Sequence, residues 1–292
     1  VGRAGKDAAL LERFVTALFD KAEEGFAAQF DGEALYAMAL DGLAFLRELD
    51  GVFKVEVLNP TAAANGWESP YTLVRLVMTD RPFIVDSVQA EIARQGLDLA
   101  YKLHPILDVV RDERGRLVDV DGDVAGRAEA FEMFFVERVE GESLTRLRQR
   151  LEAVLEDVYR ATRDYQEMRK RALGTTYYLQ SLGRGRVRPA PGIVVDEVGG
   201  DLTDELNEYA AFVDWLLDDN FVFLGYREYE LKDVGGEPHL QVRKGSGLGI
   251  LSDESSSAYV EPVPVSRLPE RLRQRVVAGR LLVVTKTNSE AT

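Results

Sequence analysis

Residues 78–99 read MTDRPFIVDSVQAEIARQGLDL and decide the fold of the first half of the chain. An alternating run leads into them and predicts a strand over roughly 71–79. Asp80 is a suitable N-cap, and Pro82 suits the first turn of a helix, where its missing N–H costs nothing. We therefore predict a helix over roughly 82–95. A strand, a tight turn and a helix N-terminus in this order form a common place to hold a small ligand.

Alternating and apolar runs after this helix predict further strands. Residues 97–104 alternate clearly, and Pro105 marks an edge or a bulge. A turn with the sequence RDERGR leads to a strand at 117–120, and an acidic loop leads to another at 130–139. Together with the first strand and helix, these segments predict a compact α+β unit.

The chain before this unit is mostly helical. Apolar residues recur at helical spacing within residues 7–49, in two segments that predict a helical hairpin. A strand is expected over 52–57, and a loop follows it over 60–70. We assign residues 1–58 to an N-terminal helical segment with its strand.

The region after the sheet predicts one long helix. Its apolar residues are spaced three and four apart without a break, as in the seam of a coiled coil. This seam consists of Leu144, Leu147, Leu151, Val154, Val158, Ala161, Tyr165, Met168 and Ala172. Such a helix would be roughly 45 Å long, which is too long for a small domain to bury alone. Two partners are open: an element of the same chain, such as the N-terminal helical hairpin, or another subunit.

A second, smaller α+β region is predicted beyond a glycine- and proline-rich linker at 183–200. A helix over 202–220 leads into an aromatic-rich strand at 221–231, and a last strand is expected at 281–287. The predicted domains are the N-terminal segment 1–58, the sheet unit with its long helix at 59–182, and the second region at 201–292. Because that last region ends on a strand, we expect it to be truncated.

The composition limits the function. The chain has 292 residues, a formal net charge of −14 and no cysteine. The acidic charge argues against nucleic-acid binding, which needs a positive face. No apolar run approaches the ~20 residues of a membrane span, so we expect no membrane partner. The lack of cysteine excludes disulfides and thiolate metal sites, and it fits a cytoplasmic protein.

The motifs for cofactors and metals are weak. GSGLG at 245–249 follows a strand, yet no helix begins after it to cradle a pyrophosphate. The acidic loop nearly matches a calcium loop; its matching residues are Asp121, Asp123, Gly126, Glu129 and Glu132. Ala125 supplies no side-chain ligand there and strands flank the loop, so we interpret it as a solvated hairpin. The two histidines, His104 and His239, have no helix-spaced partner for zinc.

The Asp80 turn remains as the candidate site. No set of nucleophile, base and oxyanion donors is recognisable elsewhere, so we expect no catalytic residue and no metal site. The free N–H groups at the start of the helix form a mild anion site, and Arg81 adds positive charge. A carboxylate, such as that of an amino acid, could dock there. The alternative is that Asp80 only caps the helix.

The order strand, TDRP turn, helix, glycine, strand, strand, helix resembles the ACT domain, a ferredoxin-like βαββαβ module that often senses amino acids. Family members commonly read D-R-P-G at this turn, whereas the fourth residue here is Phe83. The glycine lets a ligand approach the backbone, so its replacement bears directly on an effector pocket. No fourth strand is obvious after the long helix, but residues 52–57 could fill that edge of the sheet.

Longer stretches resemble the N-terminal region of the large NAD-dependent glutamate dehydrogenases of bacteria. Five blocks carry the resemblance in the family's order: NGWESPYTLVRLVMTDRPFIVDSV (65–88), HPILDVVRDERG (104–115), FVDWLLDDNFVFLGYREYEL (212–231), GSGLGIL (245–251) and LLVVTKTNS (281–289). The resemblance implies a parent enzyme that interconverts glutamate and 2-oxoglutarate plus ammonia, using NAD. It places the catalytic and NAD-binding residues downstream, so no cofactor is expected in this chain.

By this resemblance the chain is a non-catalytic regulatory and assembly region of a cytoplasmic, homo-oligomeric enzyme, acting on a catalytic domain downstream in the same chain. As an allosteric sensor it would bind an amino-acid effector. The residues predicted for this effector, or for an interface, are Thr79, Asp80, Arg81, Pro82, Phe83, Asp86 and Ser87. The alternative is a structural scaffold for oligomerisation that binds no small molecule.

Overall fold

The computed structural model describes residues 3–184, 202–273 and 280–286. The chain divides into two compact units, Val1–Val158 and Tyr159–Thr292. This division does not separate the predicted N-terminal segment 1–58, because the N-terminal helices share a core with the sheet that follows them.

The first unit combines helices with an antiparallel sheet, so the predicted α+β class is confirmed. Its helices are α1 (Arg3–Phe19), α2 (Gly32–Leu46), α3 (Ala62–Asn65), α4 (Ile84–Arg94) and α5 (Glu142–Arg163). Its strands are β1 (Phe53–Leu58), β2 (Thr72–Thr79), β3 (Leu99–Leu103), β4 (Ile106–Arg111), β5 (Leu117–Val120) and β6 (Arg127–Val136).

The strand order in this sheet is β1-β2-β6-β4-β5, and β3 also pairs with β6. Strand β6 therefore lies between β2 on one side and both β3 and β4 on the other. The predicted strand 52–57 is β1, and it takes the edge position beside β2, as the sequence suggested. The predicted βαββαβ order is not found in the described residues, because this edge strand precedes the unit and does not follow α5.

Two apolar cores lie on opposite faces of the sheet, since side chains alternate along a strand. Helices α1 and α2 cover one face and share a core with Leu73, Val77, Phe131, Met133 and Phe135. Helices α4 and α5 cover the other face and share a core with Val74, Leu76, Met78, Ala130, Phe134 and Val136. Strands β2 and β6 are consequently buried on both faces along most of their length.

The prediction of one long helix is wrong, because the helix is divided at Asp164. Helix α5 ends at Arg163, and α6 (Tyr165–Gly183) begins after the break. The Asp164 carboxylate pairs with Arg163 and accepts a hydrogen bond from the N–H of Gly249 at 2.8 Å. These contacts fix Asp164 between the helices, and local periodicity contains no sign of them.

The partner of α5 in the first unit is an element of the same chain, but it is the sheet. In the first unit α5 packs on the sheet through Leu147, Leu151, Leu155 and Val158, on the face opposite to the N-terminal helices. The helical hairpin is therefore not its partner. The register differs as well: Leu155 is 0% exposed, whereas Val154, which the seam included, is only half-buried.

The second unit contains a five-stranded sheet with the order β10-β8-β7-β11, and β9 pairs with β7. Its elements after α6 are α7 (Leu202–Trp215), a π-helical turn (Leu216–Asn220), β7 (Phe221–Val234), β8 (Glu237–Val242), β9 (Leu248–Gly249), β10 (Val263–Pro264), α8 (Glu270–Arg273) and β11 (Arg280–Lys286). The predicted helix at 202–220 and strand at 221–231 agree with these bounds. Residues 185–200 of the predicted linker lie outside the described residues.

The register of α5 can be tested with two substitutions. We expect Leu155→Ala to lower the free energy of unfolding by roughly 2–5 kcal/mol, because it removes a fully buried side chain, and Val154→Ala to cost clearly less. Chemical denaturation at two protein concentrations would measure both. Equal losses for the two variants would favour the register of the predicted seam, and a loss that depends on protein concentration would favour a partner in another subunit.

Candidate functional site

The turn before α4 differs from the predicted cap. The helix begins at Ile84 with Phe83 as its N-cap residue, so the interpretation of Asp80 as the cap is wrong. The N–H of Asp80 instead donates to the carbonyl of Ala128 at 2.9 Å, which continues the pairing of β2 with β6. The side chain of Asp80 is thereby left at the end of the sheet, beside the start of α4.

Phe83 has a left-handed backbone conformation, with φ at 76°. A side chain with a Cβ is disfavoured in this region by roughly 1–2 kcal/mol, whereas glycine adopts it without strain. The conformation explains why a glycine suits this position in ACT domains. The replacement by phenylalanine keeps the backbone shape of the turn and adds an aromatic ring, 36% exposed.

A small cleft of about 210 Å³ opens at this turn. Four of the predicted site residues line it, namely Asp80, Arg81, Phe83 and Asp86. The other three, Thr79, Pro82 and Ser87, do not; Thr79 accepts a hydrogen bond from Arg81 Nε through its carbonyl, at 3.3 Å. The sequence missed the rest of the lining, which is Ile84, Val85, His104, Ile106, Ala130 and Glu132.

Glu132 is the unusual residue of this cleft. It lies in the middle of β6, is 3% exposed, and points to the face that carries α4 and α5, like its neighbours Ala130 and Phe134. Its Oε2 atom has no hydrogen-bond partner among the described residues. Buried polar atoms in proteins are nearly always satisfied, so an orphaned carboxyl oxygen needs an explanation.

The pKa of Glu132 is raised from 4.5 to about 8. The main cause is burial, which penalises the charged form; the negative charge of Asp80 raises the pKa further, Lys102 opposes the rise, and Asp86 adds to it. Glu132 is therefore largely protonated at neutral pH. A polar residue inside the apolar run AFEMFFV was the only sequence signal for it.

The acidic loop that nearly matches a calcium loop does not form a calcium site among the described residues. Glu129 and Glu132 point to opposite faces of the sheet, and Glu129 is fully buried in an ion pair with Arg111, at 2.8 Å. The Asp121 carboxylate accepts a hydrogen bond from the N–H of Asp108. Within the described ranges, no cluster of His, Asp and Glu is arranged to hold a metal ion.

The GSGLG segment is held by the chain itself. The Glu254 carboxylate accepts hydrogen bonds from the N–H groups of Ser246 and Gly247, at 2.9 and 3.1 Å. These are the donors that a phosphate would need, so the segment is a loop with an internal carboxylate in place of a ligand.

Among the described helices, none combines the length and the apolar composition that crossing a bilayer requires.

Residues 14–151 match the family described as "Glutamate dehydrogenase, ACT1 domain". This part of the chain is therefore similar to the ACT1 domains of glutamate dehydrogenases. It contains the turn, the cleft and Glu132. The predicted resemblance to the NAD-dependent glutamate dehydrogenases is thereby confirmed, and the matched range includes the sheet of the first unit together with its N-terminal helices.

Two curated relatives have the same name. The chain is 32% identical over 222 residues, 74% of its length, to the "NAD-specific glutamate dehydrogenase" of Halomonas elongata. It is 28% identical over 203 residues, 68% of its length, to the protein of that name from Pseudomonas aeruginosa. The chain spans only 13% and 12% of these two relatives, so most of each relative has no counterpart in it.

The strain at Phe83 can be tested by substitution. We expect Phe83→Gly to change the free energy of unfolding by no more than about 1 kcal/mol, because relief of left-handed strain offsets the higher chain entropy of glycine. Phe83→Val should cost more, since a branched Cβ fits this conformation worst. Urea denaturation would compare the variants, and a valine variant as stable as the glycine variant would contradict the assigned conformation.

The raised pKa of Glu132 predicts a sign for the pH dependence of stability. The folded state binds the Glu132 proton more tightly than the unfolded state, so this group's contribution is fully present below about pH 4.5 and is lost as pH rises to about 8. We expect Glu132→Gln to remove that loss and to be more stable than the unmodified protein at pH 9, by up to a few kcal/mol.

A matched variant should behave in the opposite way. Glu129→Gln breaks the buried ion pair with Arg111 and should destabilise the domain at neutral and alkaline pH. Denaturation curves from pH 5 to 9 would measure both variants. An unchanged pH dependence in Glu132→Gln would contradict the raised pKa.

Proposed function

We propose that this chain is an allosteric regulatory and assembly region of an NAD-dependent glutamate dehydrogenase, and that the cleft at the Asp80 turn binds a small amino-acid effector. The parent enzyme would convert glutamate, NAD and water to 2-oxoglutarate, ammonia and NADH. The reaction and the NAD site would belong to a catalytic domain downstream in the same chain. We expect the enzyme to be a cytoplasmic homo-oligomer.

The observation that carries this proposal is the cleft itself. It opens at the N-terminus of α4, where main-chain N–H groups lack helical partners and favour an anion. It also contains acidic side chains, Asp80, Asp86 and Glu132, that favour a cation. A zwitterion with a carboxylate and an ammonium group suits both features, and amino acids are the smallest common ligands of that kind.

A second candidate, the scaffold without a ligand, is favoured by Phe83. Its ring lines the cleft, where the ACT pattern has a glycine and more open space. A scaffold would use the domain to join subunits and would not respond to amino acids. The two functions differ in ligand response, which can be measured directly.

A thermal-shift screen of the chain against the twenty amino acids tests the sensor. A ligand at 100 times its dissociation constant should add about 2.7 kcal/mol to the free energy of unfolding, and a clear rise in Tm follows. We expect Asp80→Ala to reduce the shift given by the best ligand, because Asp80 lines the cleft. Glu113→Ala, at an exposed hairpin turn, is the matched control and should leave it unchanged.

Sedimentation should accompany this screen, because a pocket completed by a second subunit requires association. A chain that sediments as an oligomer and gains no stability from any amino acid at millimolar concentration would favour the scaffold. A monomer without any shift would contradict the scaffold and also a sensor whose pocket is complete within one chain.

A further inference from the structure

The cleft at the Asp80 turn contains one buried group that does not belong to the turn. Glu132 is not on the turn or on α4; it reaches the cleft from the central strand β6. Its Oε2 atom is shielded from solvent and lacks a hydrogen-bond partner among the described residues. An acid in this position costs stability whether it is ionised without a counter-charge or protonated without an acceptor.

We propose that Glu132 recognises the ammonium group of the ligand: the cleft takes a small primary amine, free or as the α-amino group of an amino acid, and Glu132 ionises as the ammonium binds. This inference rests on the proposed function in that it concerns the same cleft. It adds the chemical group of the ligand that is recognised and the residue that binds it.

The charges around the cleft favour an ammonium over an anion. With Glu132 ionised, its lining has three carboxylates, Asp80, Asp86 and Glu132, against one guanidinium, Arg81. Arg81 Nε already donates to the Thr79 carbonyl. An ammonium group offers three N–H donors in compact form, which allows it to satisfy an orphaned oxygen and an adjacent acid together.

A metal ion fits the same charges less well. Across residues 3–184, 202–273 and 280–286, no three acidic or histidine side chains converge as ligands of a metal. Divalent cations need several oxygen ligands at fixed short distances. An ammonium group needs only hydrogen bonds of ordinary geometry.

Ligand binding then releases a proton. The protonated Glu132 carboxyl gives its proton to solvent, and the carboxylate that remains pairs with the bound R–NH₃⁺, so one cation enters as one proton leaves. The groups that act on Glu132 are Asp80 from the turn, Asp86 from α4 and Lys102 from β3, and His104 lines the cleft from the β3–β4 link. Because burial raises the pKa of Glu132 to about 8, affinity for an ammonium should rise about tenfold per pH unit below that value and level off above it.

The test uses the 292-residue chain, ethylammonium chloride as the probe, and ¹³C NMR of the glutamate carboxyl carbons. The Glu132 signal is assigned by its loss in Glu132→Gln. We expect its titration midpoint near pH 8 to fall by a pH unit or more in tens of millimolar ethylammonium. Sodium propionate at equal ionic strength should not lower it. The proposal is overturned if ethylammonium leaves the titration midpoint of Glu132 unchanged, or if propionate lowers it by the same amount.

Affinity gives an independent readout. We expect Glu132→Gln, which keeps the side-chain shape, to bind ethylammonium at least tenfold more weakly at pH 8, and Glu113→Gln at an exposed turn to bind it unchanged. Equal affinity in both variants overturns the role of Glu132. Binding of ethylammonium without binding of any amino acid would sustain the amine subsite and contradict the amino-acid effector. An amino acid that binds the Glu132→Gln variant as tightly as the unmodified chain would support the amino-acid effector and contradict the amine subsite.

Discussion

The first unit depends on two strands, β2 and β6, that pair in the middle of the sheet and are buried on both faces. A strand covered on both sides must be apolar or must pair each of its polar groups. Arg75 meets this condition with Asp41, and Glu129 meets it with Arg111. Glu132 does not, and it is the residue that lies at the cleft.

The position of Glu132 follows from an interruption in the neighbouring strands. Strands β3 and β4 both pair with β6 but are separated at His104 and Pro105, and Phe131 donates its N–H to the Pro105 carbonyl there. Proline has no N–H to donate to a neighbouring strand, so the strand pairing is readily interrupted at Pro105. The start of α4 and this break both line the cleft, together with Ala130 and Glu132 of β6.

Sequence patterns predicted the elements well because each depends on local spacing. The edge strand β1, the α4 segment and the break at Pro105 follow from alternation, the helical spacing of apolar residues and proline. The errors come from tertiary contacts: Asp80 gives its N–H to β6 and caps nothing, and Asp164 divides a periodic helix through its bond to Gly249. Glu132 could not be placed either, since its burial depends on helices distant in sequence.

The turn and the buried acid impose different constraints on what the cleft can accept. Phe83 preserves the backbone of a glycine turn but adds a ring to the lining, and the volume of about 210 Å³ is below that of ordinary ligand pockets. Large ligands are therefore disfavoured, and selectivity must come from charge. A ligand that ionises Glu132 changes the charge of a strand buried on both faces, next to both cores. In the proposed sensor, this change of charge would transmit a signal only if the ligand binds one state of the protein better than another.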